Sequence, residues 1–240
     1  MKLNVFKKAD DAIKALADFF VNCANAGILE NDKFSVALSG GNSPKKLFEL
    51  LASADYSSKI DWNKVYFFFG DERYVKHTHP DSNYLMAKSA LLDALNINSD
   101  QVFVVDTSLD PASAALEYER TIDKFFKHQT QFDLILLGLG DDAHTASLFP
   151  GTSIVWIDEE LVKEVYLKDK SVYRISFTAP LINQAKNIAF LTYGASKAEA
   201  IKAVLESEKD ISKYPAQLIE PKNGTLNWFV DEEAVFKLNR

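Results

Sequence analysis

Four short runs of large apolar residues set the tightest limit on how this chain folds: Phe34 to Leu38, Val65 to Phe69, Phe132 to Leu137, and Asn187 to Tyr193. Each is too short for a helix and too continuously apolar for a strand with one face in water, so each reads as a strand buried on both faces. Val102 to Val105 and Val172 to Phe177 read as further strands of the same kind. Helical periodicity fills the gaps. Between Ala9 and Ala26 the residues Ile13, Leu16, Phe19, Phe20 and Cys23 recur every three or four positions, and Gly27 stands where a C-terminal cap is expected. Ser43 reads as an N-cap with Pro44 at the first helical position and Leu47, Leu50 and Leu51 facing inward. More helices are expected near Ser82 to Leu95, from Pro111, and over Ser196 to Glu206. Buried strands alternating with amphipathic helices specify an α/β fold with a mostly parallel sheet covered on both faces.

No fixed-period repeat, low-complexity tract or Pro/Gly/Ser-rich linker divides the chain, so one domain over residues 1–240 is expected. The charged segment from Thr152 to Tyr173 reads as an excursion that closes over a site. A net charge of −7 without a long Lys/Arg run argues against nucleic acid or an anionic membrane as partner, and leaves room for a small anion in a locally basic pocket. Cys23 is the only cysteine, which excludes an intrachain disulfide and a thiolate metal cluster. With no apolar leader and no long uncharged stretch, a cytoplasmic protein is expected. Nothing in the sequence sets an oligomeric state.

In an open parallel sheet ligands bind beyond the carboxyl ends of the strands, and three strand-end loops here carry unusual chemistry. Ser39-Gly40-Gly41-Asn42-Ser43-Pro44 is either a plain tight turn or an anion cradle, since glycines let backbone approach a ligand and a helix N-terminus offers free amides. Gly70-Asp71-Glu72-Arg73 places three charges at the end of an apolar run. Solvent would account for them; so would a ligand, with Arg73 gripping phosphate and Asp71 accepting hydrogen bonds or orienting neighbours. His77 and His79 lack a third ligand at a persuasive spacing, so no metal is expected. The third loop, Gly138-Leu139-Gly140-Asp141-Asp142-Ala143-His144, has a dinucleotide-like spacing, but Pro150-Gly151 interrupts the long helix such a motif must open. What remains is a strand end presenting Asp142 and His144, followed by Thr145 to Ser147 as a short helical start. A histidine oriented by a carboxylate is suited to general-base work near neutral pH.

Taken in order, these segments resemble the 6-phosphogluconolactonase family. The likeness rests on Ser39-Gly40-Gly41-Asn42-Ser43-Pro44, on Asp71-Glu72-Arg73 with Ser82-Asn83 and Met86, and on Asp142 through Gly151. It continues through Arg174 to Pro180, Gly194 to Ala198, Pro215 to Leu218 and Gly224 to Phe229, covering nearly the whole chain. Ala143 departs from the pattern, where the residue before the histidine is normally glycine. If that position needs a positive φ, alanine strains the loop by roughly 1 kcal/mol.

The resemblance implies a Rossmann-like sheet of the kind shared with aminosugar-phosphate deaminases and ribose-phosphate isomerases. It also implies an enzyme that converts 6-phospho-D-glucono-1,5-lactone and water to 6-phospho-D-gluconate, the second step of the oxidative pentose phosphate pathway, without cofactor or metal. The phosphate then falls to Ser39, Gly40, Gly41, Arg73 and Lys197. Lys197 reads equally as a solvated helix residue, and Arg174 as a ligand contact or a partner for a carboxylate. His144 takes the proton of the attacking water, with either Asp142 or Asp71 in support. Two rival readings are a glucosamine-6-phosphate deaminase-isomerase and a non-catalytic sugar-phosphate sensor. The deaminase pattern carries Asp-Glu-Tyr where this chain has Asp71-Glu72-Arg73; Ala143 is the one feature that favours a sensor.

Overall fold

The computed structural model describes residues 1–239. The strands are, in chain order, β1 (Lys2–Phe6), β2 (Phe34–Leu38), β3 (Val65–Phe69), β4 (Asp71–Arg73), β5 (Leu134–Leu137), β6 (Val162–Leu167), β7 (Val172–Phe177), β8 (Asn187–Thr192) and β9 (Thr225–Asp231). The helices are α1 (Ala9–Asn31), α2 (Asn42–Leu51), α3 (Ala54–Ser57), α4 (Asn83–Ala87), α5 (Pro111–Phe126), α6 (Ala179–Ile182), α7 (Ala198–Glu206) and α8 (Glu232–Val235). Six strands form one sheet in the order β1-β9-β8-β5-β2-β3, parallel at every pairing. The expected α/β architecture is therefore the one observed.

Apolar residues from the two faces of this sheet feed two separate cores, which is why the strands carry no polar face. On one side Phe68 is fully buried among Phe103, Phe125, Phe126 and Phe132, with ring centroids 4.5 to 6.2 Å apart. On the other, α1 packs Leu16, Phe20 and Ala24 against the sheet. By length and composition α1 is apolar enough to cross a membrane. Its buried stripe of Ala12, Ile13, Leu16, Ala17, Phe20 and Val21 makes it a core helix instead.

Several boundaries differ from the sequence reading, each for a local reason. Gly27 lies inside α1, which runs on to Asn31 and ends on Asp32 in the left-handed region at φ 55°. A Cβ at Gly27 would stand 3.3 Å from the Phe34 ring and 3.4 Å from Asp133 Cγ, so this glycine serves close packing and not a cap. The helix after β2 begins at Asn42, with Gly41 rather than Ser43 at the cap position and φ at 107°. α4 starts close to where the helix was expected, capped by Ser82, then widens over Lys88–Leu92, where the Asp93 amide bonds the Lys88 carbonyl at 2.9 Å. Val102 to Val105 is not a strand; it makes a single bridge, Val102 to Phe67, at the β3 edge. A short 3-10 turn over Ala195–Lys197 precedes α7.

The largest correction concerns Val172–Phe177. It does not join the parallel sheet but forms a second, antiparallel sheet in the order β4-β7-β6. The charged segment 152–173 contributes β6 and the turn into β7 to this sheet, so it is ordered by a hairpin ladder. β4 follows β3 after the single residue Gly70, which carries the chain from one sheet directly to the other.

Phe68→Ala is expected to cost about 3–5 kcal/mol, the range for a large aromatic lost from a packed core. Urea unfolding followed by circular dichroism checks this as a lowered midpoint at unchanged slope.

Candidate active site

The connections of the parallel sheet reverse direction between β2 and β5: the chain passes from β2 outward to β3, returns to β5 on the other side, and proceeds to β8 and β9. Strand ends flanking such a reversal are left uncovered, and a crevice opens there. A cleft of about 390 Å³ occupies this place, lined by Ser39, Gly40, Gly41, Asp71, Arg73, Gly138, Gly140, His144, Thr192 and Lys197 among others. Its size suits a small polar metabolite.

His144 is held by its own loop. The Gly140 amide donates to the His144 carbonyl at 2.8 Å, and the Thr145 hydroxyl donates to the Gly138 carbonyl at 2.9 Å. Asp142 Oδ1 bonds His144 Nδ1 and accepts from the His144 amide at 3.2 Å. With Nδ1 donating to the carboxylate, Nε2 carries the lone pair. Burial opposes ionisation of Asp142, but the hydrogen bond and charge of His144 outweigh it and hold the carboxyl below its ordinary value. Gly140 is required here, since a Cβ would fall 2.0 Å from His144 Nδ1. Thr145 to Ser147 is a tight turn and not a helical start: the Leu148 amide donates to the Thr145 carbonyl at 2.9 Å, and Ala146 has φ 47°.

Ala143 does adopt a positive φ, 62°. The strain expected for alanine is therefore present, yet the Asp142–His144 bond forms. The Ala143 methyl is buried, and its carbonyl accepts from the Ala216 amide at 3.0 Å, so the strained residue is tied down from both sides.

Asp71 lines the same cleft without touching His144. Its Oδ2 accepts from Ser147 Oγ at 2.7 Å and its Oδ1 from Asn83 Nδ2 at 3.2 Å. The open question of which carboxylate partners the imidazole is thus answered by contact: Asp142 does. Glu72, grouped with its charged neighbours from sequence, is buried. Its Oε1 accepts from the Arg73 and Asn83 amides at 2.7 Å each, and its Oε2 from the Tyr84 amide at 2.8 Å and Ser82 Oγ at 3.1 Å. Burial pushes the Glu72 carboxyl above the ordinary glutamate value against the pull of those amides. Its work is to pin β4 to the start of α4.

Positive groups line the same cleft. Arg73 lines it while donating from Nη1 to the Asp81 carbonyl at 2.7 Å. Arg174, directly opposite Arg73 in the β4–β7 ladder, is not on the cleft wall. Its Nε and Nη1 are buried and find no acceptor among the described residues. Burial first, and the Arg73 charge second, push its guanidinium below the ordinary value. Asp71, Glu72 and Asp81 pull the other way without hydrogen-bonding the buried nitrogens. Lys197 lines the cleft and pairs with Asp141 at 2.7 Å. The amides at the start of α2 have no side-chain cap.

Four contributors escaped the sequence reading. Asp141 holds Lys197, and its place beside Asp142 was the available signal. Asn83 Nδ2 holds the Asp71 carbonyl at 2.8 Å. A Cβ at Gly40 would meet Asn83 Oδ1 at 1.9 Å, which explains that glycine. Thr192, a hydroxyl ending an apolar strand, lines the cleft with its Oγ1 buried and unpartnered among the described residues. Glu72 gave no signal that distinguished it from an exposed charge. His77 Nε2 bonds the Val105 carbonyl at 2.8 Å and His79 Nδ1 the Asp81 amide at 3.1 Å. Among the described residues no cluster of three or more His, Cys, Asp or Glu side chains is placed to hold a metal ion.

A family model described as glucosamine-6-phosphate isomerases/6-phosphogluconolactonase matches residues 7–228. A 6-phosphogluconolactonase from Synechocystis sp. is 44% identical over 212 residues, covering 86% of this chain and 85% of its own. Among solved structures, a 6-phosphogluconolactonase from Trypanosoma cruzi superposes with a TM-score of 0.86 at 26% identity, over 100% of this chain and 97% of that one. One from Thermotoga maritima does so with a TM-score of 0.83 at 29% identity, over 96% and 99%.

Glu72→Gln is expected to destabilise the fold by about 2 kcal/mol, because either orientation of the amide sets its NH2 against donors that now have an acceptor. A lowered urea midpoint at constant slope is the readout; an unchanged midpoint contradicts the buried-acceptor role.

Proposed function

The chain belongs to the family of glucosamine-6-phosphate isomerases and 6-phosphogluconolactonases, and from that premise we propose that it hydrolyses 6-phospho-D-glucono-1,5-lactone to 6-phospho-D-gluconate in the oxidative pentose phosphate pathway. The observation that carries this reading is one cleft that joins a carboxylate-oriented imidazole to a cluster of cationic groups. The substrate has matching ends: a phosphate and an activated ester.

The phosphate binds at Arg73 and Lys197, with the Ser39-Gly40-Gly41 loop and the uncapped amides of α2 completing the cradle. Arg174 adds its charge from behind Arg73. Anchoring the remote phosphate fixes the lactone carbonyl against His144 and lowers the entropy cost of attack. His144 Nε2 then takes a proton from water as the water oxygen bonds to C1. The C1 oxyanion collapses, the bond from C1 to the ring oxygen breaks, and the ring oxygen takes the proton from the imidazolium. Asp142 keeps Nδ1 as donor throughout and stabilises the transient positive charge. Asp71, fixed by Ser147 and Asn83, offers an acceptor to a substrate hydroxyl. No covalent intermediate is involved.

We place the protein in the cytoplasm. Burial pushes the Cys23 thiol up to about 12, which keeps it protonated near neutral pH. A rice relative of 34% identity is named as chloroplastic.

A coupled assay with freshly generated lactone tests the reaction. His144→Ala is expected to lower kcat by about 10²- to 10⁴-fold, the usual worth of a positioned base, while calorimetry still detects 6-phosphogluconate binding. Turnover unchanged in that variant rejects the assignment of the base. Ammonia released from glucosamine 6-phosphate, with no acid released from lactone, selects the deaminase-isomerase reading; product binding with lactone opening no faster than in buffer selects the sensor.

A further inference from the structure

We propose that Phe149 is a positioning residue for the general base: its ring face sets the plane of the His144 imidazole and so aims Nε2 at the lactone carbonyl. The proposal rests on the reading of His144 as base. A histidine ring has two soft torsions, and the second is broad because it joins tetrahedral to planar carbon. One hydrogen bond from Nδ1 to Asp142 fixes a single ring atom and leaves the ring free to roll about that bond. Such a roll displaces Nε2, and a displacement of about 1 Å is enough to cost 10²-fold in rate.

The missing constraint is supplied by Phe149. Its ring stacks on the His144 ring with centroids 4.0 Å apart and planes 22° from parallel. Contact along a whole face blocks the roll that the hydrogen bond permits. Once His144 is protonated, the aromatic face also attracts the imidazolium.

Phe149 is itself held. Pro150 follows it and restricts its backbone. Its carbonyl accepts from Thr152 Oγ1 at 2.6 Å and from the Thr152 amide at 3.3 Å. Lys170 Nζ, from the turn between β6 and β7, lies 5.6 Å from the centre of its ring. A hollow of about 840 Å³ lined by Asp142, Phe149 and the β6–β7 hairpin lies next to this pair. Asp142 and Phe149 therefore hold the imidazole jointly from the hairpin side, and the segment 152–173 supports the base from there.

Three variants test this: Phe149→Ala, Phe149→Leu, which keeps bulk without a flat face, and Phe149→Tyr, which keeps the face. The first two are expected to lower kcat by about 10- to 100-fold, with KM and the calorimetric Kd for 6-phosphogluconate within about twofold of the parent, since binding lies at the phosphate end. Phe149→Tyr is expected to recover most of the rate. Joined to His144→Ala, Phe149→Ala is expected to cost nothing further, because it acts only through the ring that is gone. If Phe149→Leu binds product normally and turns over at the parental rate, or if the two losses multiply in the double variant, the proposal is overturned. Failure of the underlying reading looks different: His144→Ala alone then retains turnover.

Discussion

Pairing of β2 with β5, side by side and parallel, is the constraint on which the site depends. These strands are distant in the chain, and their adjacency creates the reversal at which the crevice opens. A buried polar knot at the opposite end of the sheet secures them. Asp133 Oδ2 accepts from the Ser35 amide at 2.9 Å and from Ser35 Oγ at 2.8 Å, while Lys186 Nζ reaches Asp133 Oδ1 at 3.2 Å. With the strand starts fixed in register, the loops at the other ends, Ser39 to Gly41 and Gly138 to His144, meet at a set distance. The rest is local support for that meeting.

Electrostatics at the cleft follow a division of labour. Carboxylates in and behind the cleft are satisfied: Asp142 by His144, Asp71 by Ser147 and Asn83, Glu72 by four donors. One of the cations is not. Arg174 has buried nitrogens without acceptors, and Arg73 faces it across the ladder. Under the proposed function, the substrate phosphate is what supplies a compensating charge beside this pair. Lys197 is paired with Asp141.

Much of this was legible in the sequence because apolar continuity reports burial on both faces: β2, β3, β5 and β8 lie within one or two residues of the runs that announced them. The same signal misled at Val172–Phe177, since a strand between two neighbours in a small sheet is also apolar, and sheet membership is a long-range fact that no local pattern encodes. Edge strand β1 was overlooked because it is half exposed and alternates weakly, and inner strand β9 because Asn227 and Asp231 interrupt its apolar run. At the site, His144, Asp142 and Arg73 stood out as charged groups at strand ends. Glu72, Asn83 and Phe149 did not, because what they do depends on which backbone amides or ring comes to meet them. Ala143 was recognised as an exception to the pattern, but only its observed φ shows that the loop carries the strain and keeps its shape.

A crystal structure with 6-phosphogluconate bound tests the central claim most directly, because the claim is one of geometry. The phosphate is expected between Arg73 and Lys197, and the C1 carboxylate within hydrogen-bond reach, about 3 Å, of His144 Nε2. A phosphate seated away from these cations, or a C1 carboxylate beyond the reach of that nitrogen, contradicts the account.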